Sequence, residues 1–450
     1  MPETTIVITF RVKVSEGGAN VNEILQAVRG VLQELGVRLV VAIIEWMQEV
    51  FRDRLCGRDR AAKKGLGGHG DKKHPRRKCG GREFVKEGYR AELRGLNTEL
   101  GRVEFRVGYV SCVECGKKWA PILGLLKLKP RQGHSGELER IVVEAVNRTS
   151  FARGPVEVEG LTGVPSSRSS SHRWVAALEV PEVKPPGELP LWMADGTGFK
   201  RAGGERGELR VAIGVTTSGQ VVPLGTWAGV EWKQIGRELR RWLKGRSRPS
   251  LALADGETGL ANHLARLADR TQRSRWHLLR DLRSRLWHDD LKKKDIGPYW
   301  EQLSRIVGIE IPAGEWEKIL PLEKTALRKR VEEARKKFQE MIDDFAQRGY
   351  EKGAEYLRNA QDHLFTRIAL WLETGIIAPS STGLLEEIMR EIGRRVKKLG
   401  WNWKDQGITQ QSKMILVRRY GLDQWNEFWK RRLDLQNRCT LQITHFARAA

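Results

Sequence analysis

Two stretches of sequence decide the fold: Leu189–Lys200, which reads LPLWMADGTGFK, and Leu251–Gly256, which reads LALADG. In each, an apolar run stands directly before Asp-Gly. This predicts a strand covered on both faces that ends at Asp195 or Asp255 and is followed by a glycine turn. If the two strands are neighbours, their carboxylates converge and can hold divalent metal. Asp-Gly is also a common turn dipeptide, so one copy would indicate only a turn; two copies in one domain favour a site.

The 450-residue chain is too long for one ordinary core, so we expect several domains. It carries 80 Lys and Arg against 56 Asp and Glu, a net charge of +24. Because basic side chains release the counterions condensed on phosphates, a polyanion such as DNA is the expected partner. A membrane surface is the weaker alternative, since no lipidation signal, signal peptide or membrane-spanning run stands out. Five cysteines, an odd number, indicate a reducing interior rather than a disulfide scaffold.

The N-terminal residues 1–56 are predicted to form a strand at Thr5–Val14 and one or two helices within Val21–Arg54, as a packing or dimerisation element. Residues 57–135 begin with Gly57–Arg82, a basic and glycine-rich stretch with too few apolar residues to bury a core. We interpret it as a flexible loop that lies along DNA phosphates, with a solvated linker as the alternative. Its candidate DNA contacts are Lys72, Lys73, Arg76 and Arg77.

A β-hairpin predicted at Tyr89–Val110 leads into a second candidate metal site, formed by Cys112 and Cys115 with Gly116 after them. This spacing is typical of a zinc knuckle, in which the glycine lets backbone amides turn toward the thiolates. A structural zinc ion needs four ligands, and thiols that bind no metal are the alternative. The candidates for the remaining ligands are Cys56, Cys79, His69 and His74.

Residues 136–180 have the pattern of a helix-turn-helix DNA-binding domain. Helices are predicted at Glu137–Val146 and Phe151–Leu161, followed by a glycine turn and by a helix within Ser166–Leu178 that is polar early and apolar late. The apolar end would anchor this helix and the polar face would meet base edges or phosphates; a serine-rich loop capping an ordinary helix is the alternative. The candidate DNA contacts are Ser167, Arg168, Ser170, Ser171, His172 and Arg173.

After a proline-rich linker at Pro181–Pro190, residues 188–288 and 379–400 are predicted to form an α/β domain. Its order is three strands, a helix, a strand, a helix and a last strand, which we place at Arg275–Leu282. The five-stranded sheet is therefore mixed, with antiparallel hairpins first and parallel crossovers later.

An all-helical insertion at residues 289–378 is predicted to interrupt this domain, with a single break at Gly297-Pro298. The chain returns through a helix at Ser381–Leu399, for which the hydroxyl residues at 380–382 can supply the N-cap. The basic helical tail, residues 401–450, carries several tryptophans. It suits either a helical cap on the core or a nucleic-acid surface with stacking residues.

The strand order, with an Asp on the first and the fourth strand, looks like the ribonuclease H fold. Residues 195–399 more narrowly resemble the catalytic domain of Mutator-like DDE transposases from bacterial and archaeal insertion sequences. Three motifs carry the resemblance: DGTGFK at 195–200, LADGETGL at 253–260 and STGLLEEIMREIGRR at 381–395. In that family the third motif contains the catalytic glutamate, and its position corresponds to Glu386. Gly383 stands where the family has Asn, which leaves Glu387 as the alternative.

The same family has a Cys or Asp three residues before a His, and here Ser274 precedes His277. A histidine in this position is more often a satisfied histidine of the core, and the other interpretation of His277 is a residue that contacts DNA or shapes the site. The neighbouring Trp276 is interpreted as a core residue in preference to a stacking partner for an unpaired base.

The resemblance implies a DNA transposase in which Asp195, Asp255 and Glu386 hold two Mg²⁺ ions about 4 Å apart, with Mn²⁺ as a substitute. One ion would activate the attacking water or DNA 3′-hydroxyl and the other would stabilise the leaving oxygen, so that one site cleaves and transfers strands. The implied partner is double-stranded DNA, both the terminal inverted repeats of the element and its target. A homodimer or larger assembly would bind it at the nucleoid, in a prokaryotic cytoplasm.

Two other functions remain open. A helix-turn-helix DNA-binding protein with an inactive or domesticated nuclease-like domain would leave a supercoiled plasmid intact in Mg²⁺. A nuclease of the ribonuclease H fold would cut DNA without joining donor to target.

Overall fold

The structure is a computed structural model that describes residues 4–6, 8, 13, 19–57, 83–256, 258–263, 265–397, 402–436 and 439–442. The chain divides into two compact units, residues 1–174 and 175–450. The strand expected at Thr5–Val14 falls largely outside the described residues, and the basic loop with Lys72, Lys73, Arg76 and Arg77 falls wholly outside them. Within the described parts, no helix has the length and apolar character needed to cross a bilayer.

The first unit combines one long helix with short antiparallel strands and a run of three helices. Its elements are α1 Val21–Cys56, β1 Phe84–Tyr89, β2 Arg94–Thr98, β3 Gly101–Phe105, β4 Gly108–Cys112, β5 Lys118–Trp119, α2 Pro121–Leu125, α3 Gly136–Arg148, α4 Arg153–Thr162 and α5 Arg168–Ala176, which crosses the division between the units. Strands β2 and β3 form the predicted hairpin, and β4 pairs with both β1 and β5.

A single helix, α1, accounts for the whole helical pattern that the sequence shows before residue 57. It begins at a capping box, in which Asn20 Oδ1 accepts a hydrogen bond from the Glu23 amide (3.1 Å) and the Glu23 carboxylate accepts one from the Asn20 amide (2.8 Å). The C-terminal half packs against a core that includes Val103 and Phe105. The first three turns instead expose their apolar side chains, among them Ile24, Val28 and Leu32, so the role in packing or dimerisation stays a prediction.

The second unit is built on a mixed five-stranded sheet, which confirms the α/β class. Its strands and the helices between them are β6 Leu191–Lys200, β7 Arg206–Val215, β8 Val221–Ala228, α6 Trp232–Trp242, β9 Leu251–Ala254, α7 Thr258–His263, a 3₁₀ turn Ala265–Leu267 and β10 Arg270–Arg273. The strand order is β10-β9-β6-β7-β8. Strands β6, β7 and β8 are antiparallel, whereas β9 runs parallel to both β6 and β10.

The strand expected at Arg275–Leu282 is wrong, because those residues begin helix α8, Arg275–His288, and the last strand is the preceding β10. The buried leucines of α8 are Leu278, Leu282 and Leu286. They recur every four residues, which is the spacing of one helix face. Only four residues of β10 pair with β9, and all four are polar, so this strand carries no apolar run that would reveal it in the sequence.

The residues of the expected insertion are helical, and they share one hydrophobic core with the leucines of α8; this core includes Leu282, Phe338, Phe345 and Trp371. Its elements are α9 Lys293–Ile306, a 3₁₀ turn Trp316–Lys318, α10 Pro321–Gln347, α11 Glu351–Ala360, a 3₁₀ turn Gln361–His363 and α12 Thr366–Thr374. The expected break at Gly297-Pro298 is wrong, since α9 continues through both residues. Pro298 lies near the start of the helix, so its missing N–H removes only one intrahelical hydrogen bond.

The chain returns to the sheet through α13, Gly383–Val396, and ends in α14, Asp405–Tyr420, and α15, Leu422–Leu433. The Thr409 side chain of α14 accepts a hydrogen bond from the Ala228 amide of β8 (3.1 Å). Trp403, Trp425 and Trp429 are buried. These tail tryptophans therefore belong to a helical cap on the core rather than to an exposed stacking surface.

Candidate metal centre

Strand register places the two predicted aspartates side by side. Met193 of β6 is the partner of Leu253 of β9 in the parallel ladder. Asp195 and Asp255 each come two residues later, so both side chains emerge on the same face of the sheet at the same level. The apolar runs before them are buried as the sequence predicts, and this burial fixes the register that brings the carboxylates together.

The two Asp-Gly pairs differ in their backbone, contrary to the prediction of a turn at both. Asp195 lies within β6, which continues through Gly196 and Gly198 while paired with β7. A Cβ on Gly196 would lie 2.4 Å from the Glu208 carboxylate, so this glycine makes room for a cross-strand side chain. Gly256, by contrast, follows β9 with φ +88°, a left-handed conformation that favours glycine and makes the expected turn.

A third ligand-bearing side chain, His277, completes a cluster with the two aspartates. One ligand atom from each of Asp195, Asp255 and His277 lies within 4.8 Å of the others. His277 is on the first turn of α8, which starts directly after β10, and its side chain is only 3% exposed. The histidine interpreted as site-shaping thus contributes a ligand atom of its own.

Two buried hydroxyls hold the other side of the imidazole. His277 Nδ1 is 3.0 Å from Ser274 Oγ and 3.2 Å from Thr382 Oγ1. When Nδ1 donates its hydrogen to either hydroxyl, Nε2 carries the lone pair that a metal ligand needs. The spacing Ser-x-x-His contains the Ser274 contact, but the link to Thr382 joins residues 105 positions apart and has no local signal in the sequence.

Thr382 connects this cluster to the predicted third acid. Its hydroxyl donates to Glu386 Oε1 at 3.4 Å, in the first turn of α13. Thr382 is the N-cap residue of α13, as the sequence predicts, but its side chain makes no capping hydrogen bond. Glu386 lies outside the group of three closest ligand atoms. Glu387 instead binds Arg419 at 2.5 Å, which makes Glu386 the acid that faces the cluster.

The charges in the cluster interact strongly. Burial and the negative charge of Asp255 raise the pKa of Asp195 to about 7, with a smaller contribution from Glu386. The Gly196 amide, which donates to Asp195 Oδ1 at 2.7 Å, and the positive charge of Arg280 oppose this rise. Burial also lowers the pKa of His277 to about 4, so its imidazole is neutral at physiological pH.

The insertion reaches the site through β10. Gln272 Nε2 donates to the Leu364 carbonyl (2.7 Å), and its Oε1 accepts from the Arg367 amide (2.9 Å). Arg273 donates to the Tyr356 hydroxyl at 2.8 Å, and that hydroxyl donates to the His277 carbonyl at 3.3 Å. The insertion therefore positions the strand and the helix start that carry the histidine.

The two carboxylates of this donor set fit a hard divalent cation, because carboxylates are the ligands that Mg²⁺ and Mn²⁺ prefer. The neutral imidazole adds a nitrogen lone pair, a donor that suits transition metals better than Mg²⁺. A cation between Asp195 and Asp255 would also offset the repulsion that raises the Asp195 pKa.

The candidate zinc knuckle has its expected turn. The Gly116 amide donates to the Cys112 carbonyl at 2.8 Å, and Gly116 has φ +65°. Cys56 and Cys115 pack against the same hydrophobic cluster as Cys112, whereas Cys79, His69 and His74 are outside the described residues. Within the described residues, no group of three thiols has the mutual closeness seen for the aspartates and His277.

Zinc binding at this turn remains a prediction with a direct test. We expect purified protein to contain stoichiometric zinc, and Cys112→Ser to lose it, because removing one thiolate opens a tetrahedral site. Atomic absorption measures the content, with Cys439→Ser as the control, since Cys439 is exposed and remote in sequence. If purified wild type contains no more zinc than Cys112→Ser, and both contain almost none, these thiols bind no metal.

The predicted DNA-reading face of α5 is only partly exposed. Arg168, His172 and Arg173 are exposed, and Ser170 is half-buried. Ser171 is fully buried and donates to the Ser167 carbonyl at 3.1 Å, so the expectation that it contacts DNA is wrong. The His172 ring stacks on Phe151 at 3.7 Å, and burial together with Arg168 lowers the pKa of His172.

Comparison with known proteins identifies no family for this chain. No protein-family model matches it, and no curated protein matches it either. Among solved structures, one match is a chain in the cryo-EM structure of the simian T-cell lymphotropic virus intasome in complex with PP2A regulatory subunit B56 gamma. That match has 14% identity and covers 35% of this chain and 70% of the other, with a TM-score of 0.15, which carries no argument.

Proposed function

We propose that this protein is a DNA transposase that cleaves DNA and transfers strands at the ends of an insertion sequence, using divalent metal. The observation that supports the proposal is the cluster of Asp195, Asp255 and His277, with Glu386 joined to it through Thr382. The strand order β10-β9-β6-β7-β8 supports a ribonuclease H-like domain, since Asp195 lies in the first strand of this sheet, β6, and Asp255 directly follows its fourth strand, β9.

Asp195 and Asp255 would hold the metal together with His277 Nε2, and Glu386 is linked to His277 through the Thr382 hydroxyl. When bound, Mg²⁺ supplies activation of the attacking oxygen and stabilisation of the leaving oxygen in an in-line displacement at phosphorus. The hydroxyls of Ser274 and Thr382 keep the imidazole in one orientation.

The rest of the chain supplies features suited to DNA. The net charge of +24 favours binding of the chain to DNA phosphates. Helices α3, α4 and α5, with Arg168, His172 and Arg173 exposed on the last of them, are proposed to form a helix-turn-helix module. Bringing two element ends together requires at least a dimer on DNA.

A strand-transfer assay tests this function. Wild-type protein is incubated with Mg²⁺ or Mn²⁺, a donor duplex that ends in the inverted repeat flanking the reading frame, and a supercoiled target plasmid. We expect products in which the donor 3′ end is covalently joined to target DNA, because the same site performs cleavage and joining. Joined products are read on denaturing gels.

The other outcomes identify the competing functions. Cleaved DNA without joined products would make the protein a nuclease of this fold and overturn the transposase proposal. DNA binding with neither cleavage nor joining would leave a DNA-binding protein with an inactive domain. EDTA serves as the control that removes divalent metal.

A further inference from the structure

The first turn of α8 carries two neighbouring aromatic side chains with different surroundings. His277 is buried in the metal cluster, whereas Trp276 is 45% exposed, so the interpretation of Trp276 as a core residue is wrong. The two rings meet edge to face at 4.8 Å. Scattered exposed aromatic residues are ordinary, so exposure alone gives Trp276 no role.

Arg280 lies four residues later, with its guanidinium over the Trp276 ring at 4.7 Å from the ring centre. The Asp281 hydrogen bond raises the pKa of Arg280, and the charges of Asp195 and Asp255 add to the rise. Arg280 therefore contacts the Trp276 ring and interacts electrostatically with the two carboxylates of the metal cluster. Trp276, His277 and Arg280 all lie in the first two turns of α8.

We propose that Trp276 and Arg280 form the nucleotide subsite beside the metal cluster, in which the indole stacks on an unpaired DNA base and the guanidinium neutralises the adjoining phosphate. This inference rests on the proposed function. A base inside a duplex has both of its faces covered by its neighbours. Only a base that is unpaired or has left the stack can therefore stack on the exposed indole. The substrate class is thus DNA whose end has unpaired bases next to the reacting phosphodiester.

The chain offers a matched control on the same helix. Trp287 is 63% exposed, and it lies eleven positions beyond Trp276, roughly 16 Å further along the helix axis. Among the described residues, no guanidinium lies over its ring. Trp287→Ala therefore removes an exposed tryptophan from α8 without touching the cluster.

The test compares binding of two probes to the full chain in EDTA: a duplex with a short unpaired 3′ tail containing a fluorescent purine analogue, and the same duplex fully paired. We expect wild type to prefer the tailed duplex and to change the fluorescence of the analogue. Trp276→Ala should weaken binding of the tailed duplex roughly tenfold, because a base–aromatic stack contributes about 1–3 kcal/mol. Trp276→Phe should retain part of this preference.

Affinity for the paired duplex should stay unchanged in Trp276→Ala, and both affinities should stay unchanged in Trp287→Ala. Equal affinities of wild type and Trp276→Ala for the tailed duplex would overturn the subsite, provided that the two proteins melt at the same temperature. Because the binding assay involves no cleavage, a wild type that joins strands without showing the preference refutes this inference alone. A wild type that shows the preference without cleaving DNA refutes the proposed activity alone.

Discussion

Asp195→Asn and Asp255→Asn are each expected to lower the rate of DNA cleavage about 1,000-fold or more, since metal ions contribute several kcal/mol to stabilising the charge of the transition state. The asparagine keeps the size of the side chain but removes the negative charge that binds the cation. Both side chains belong to the cluster with His277, so neither variant should retain a functioning site. Nicking of supercoiled plasmid in Mg²⁺ is the measurement.

Asp290→Asn is the matched control for these substitutions. Asp290 is exposed and has φ +65°, a conformation that Asn adopts as readily as Asp. The control should nick at the wild-type rate. Isothermal titration with Mn²⁺ provides a second readout, in which Asp195→Asn and Asp255→Asn lose binding while the control keeps it. Nicking by Asp195→Asn at the wild-type rate would show that the cluster does not perform the cleavage.

Stability without metal should depend on pH through the same carboxyl. The pKa of Asp195 is about 7 in the folded protein, against an ordinary value of 3.8. Between these values the folded state holds a proton that the unfolded state has released, so the stability from this group falls as pH rises from about 4 to about 7. Above pH 7 the folded protein carries two repelling carboxylates, and Asp195→Asn removes that repulsion.

We therefore expect Asp195→Asn in EDTA to melt above wild type at pH 8, by roughly 5–10 °C, and close to wild type near pH 4. Saturating Mn²⁺ should raise the melting temperature of wild type at pH 8 more than at pH 5, since protons compete for the ligand. Differential scanning fluorimetry across pH measures both effects. A variant that melts below wild type at pH 8 in EDTA would contradict the raised pKa.

Local patterns in the sequence predict the strands that hold the aspartates and also the helical insertion, because both depend on runs of apolar side chains at a fixed period. The same patterns misplace the last strand, since β10 is short and polar and is held by pairing with β9 and by Gln272 contacts to the insertion. Tertiary contacts of this kind leave no periodic signal.

In the candidate site, too, some residues have a local signal in the sequence and others depend on tertiary contacts. Asp195 and Asp255 are visible in the sequence because each follows a buried strand, whereas the contacts around His277 depend on Thr382, which lies beyond the whole insertion. Trp276 illustrates a different difficulty: an apolar side chain is usually buried, and only the three-dimensional surroundings of α8 show that this one is exposed.

The position of α14 has a consequence for how the protein is made. The Trp403 amide donates to the Lys200 carbonyl at 3.0 Å, Arg201 pairs with Asp405 at 2.9 Å, and Thr409 contacts the backbone of β8. All five strands of the sheet precede residue 274, yet these covering residues come only after the whole helical insertion. During synthesis the ribosome must therefore translate the insertion before the sheet acquires these contacts, and a nascent chain stopped before α14 would leave β8 open to aggregation.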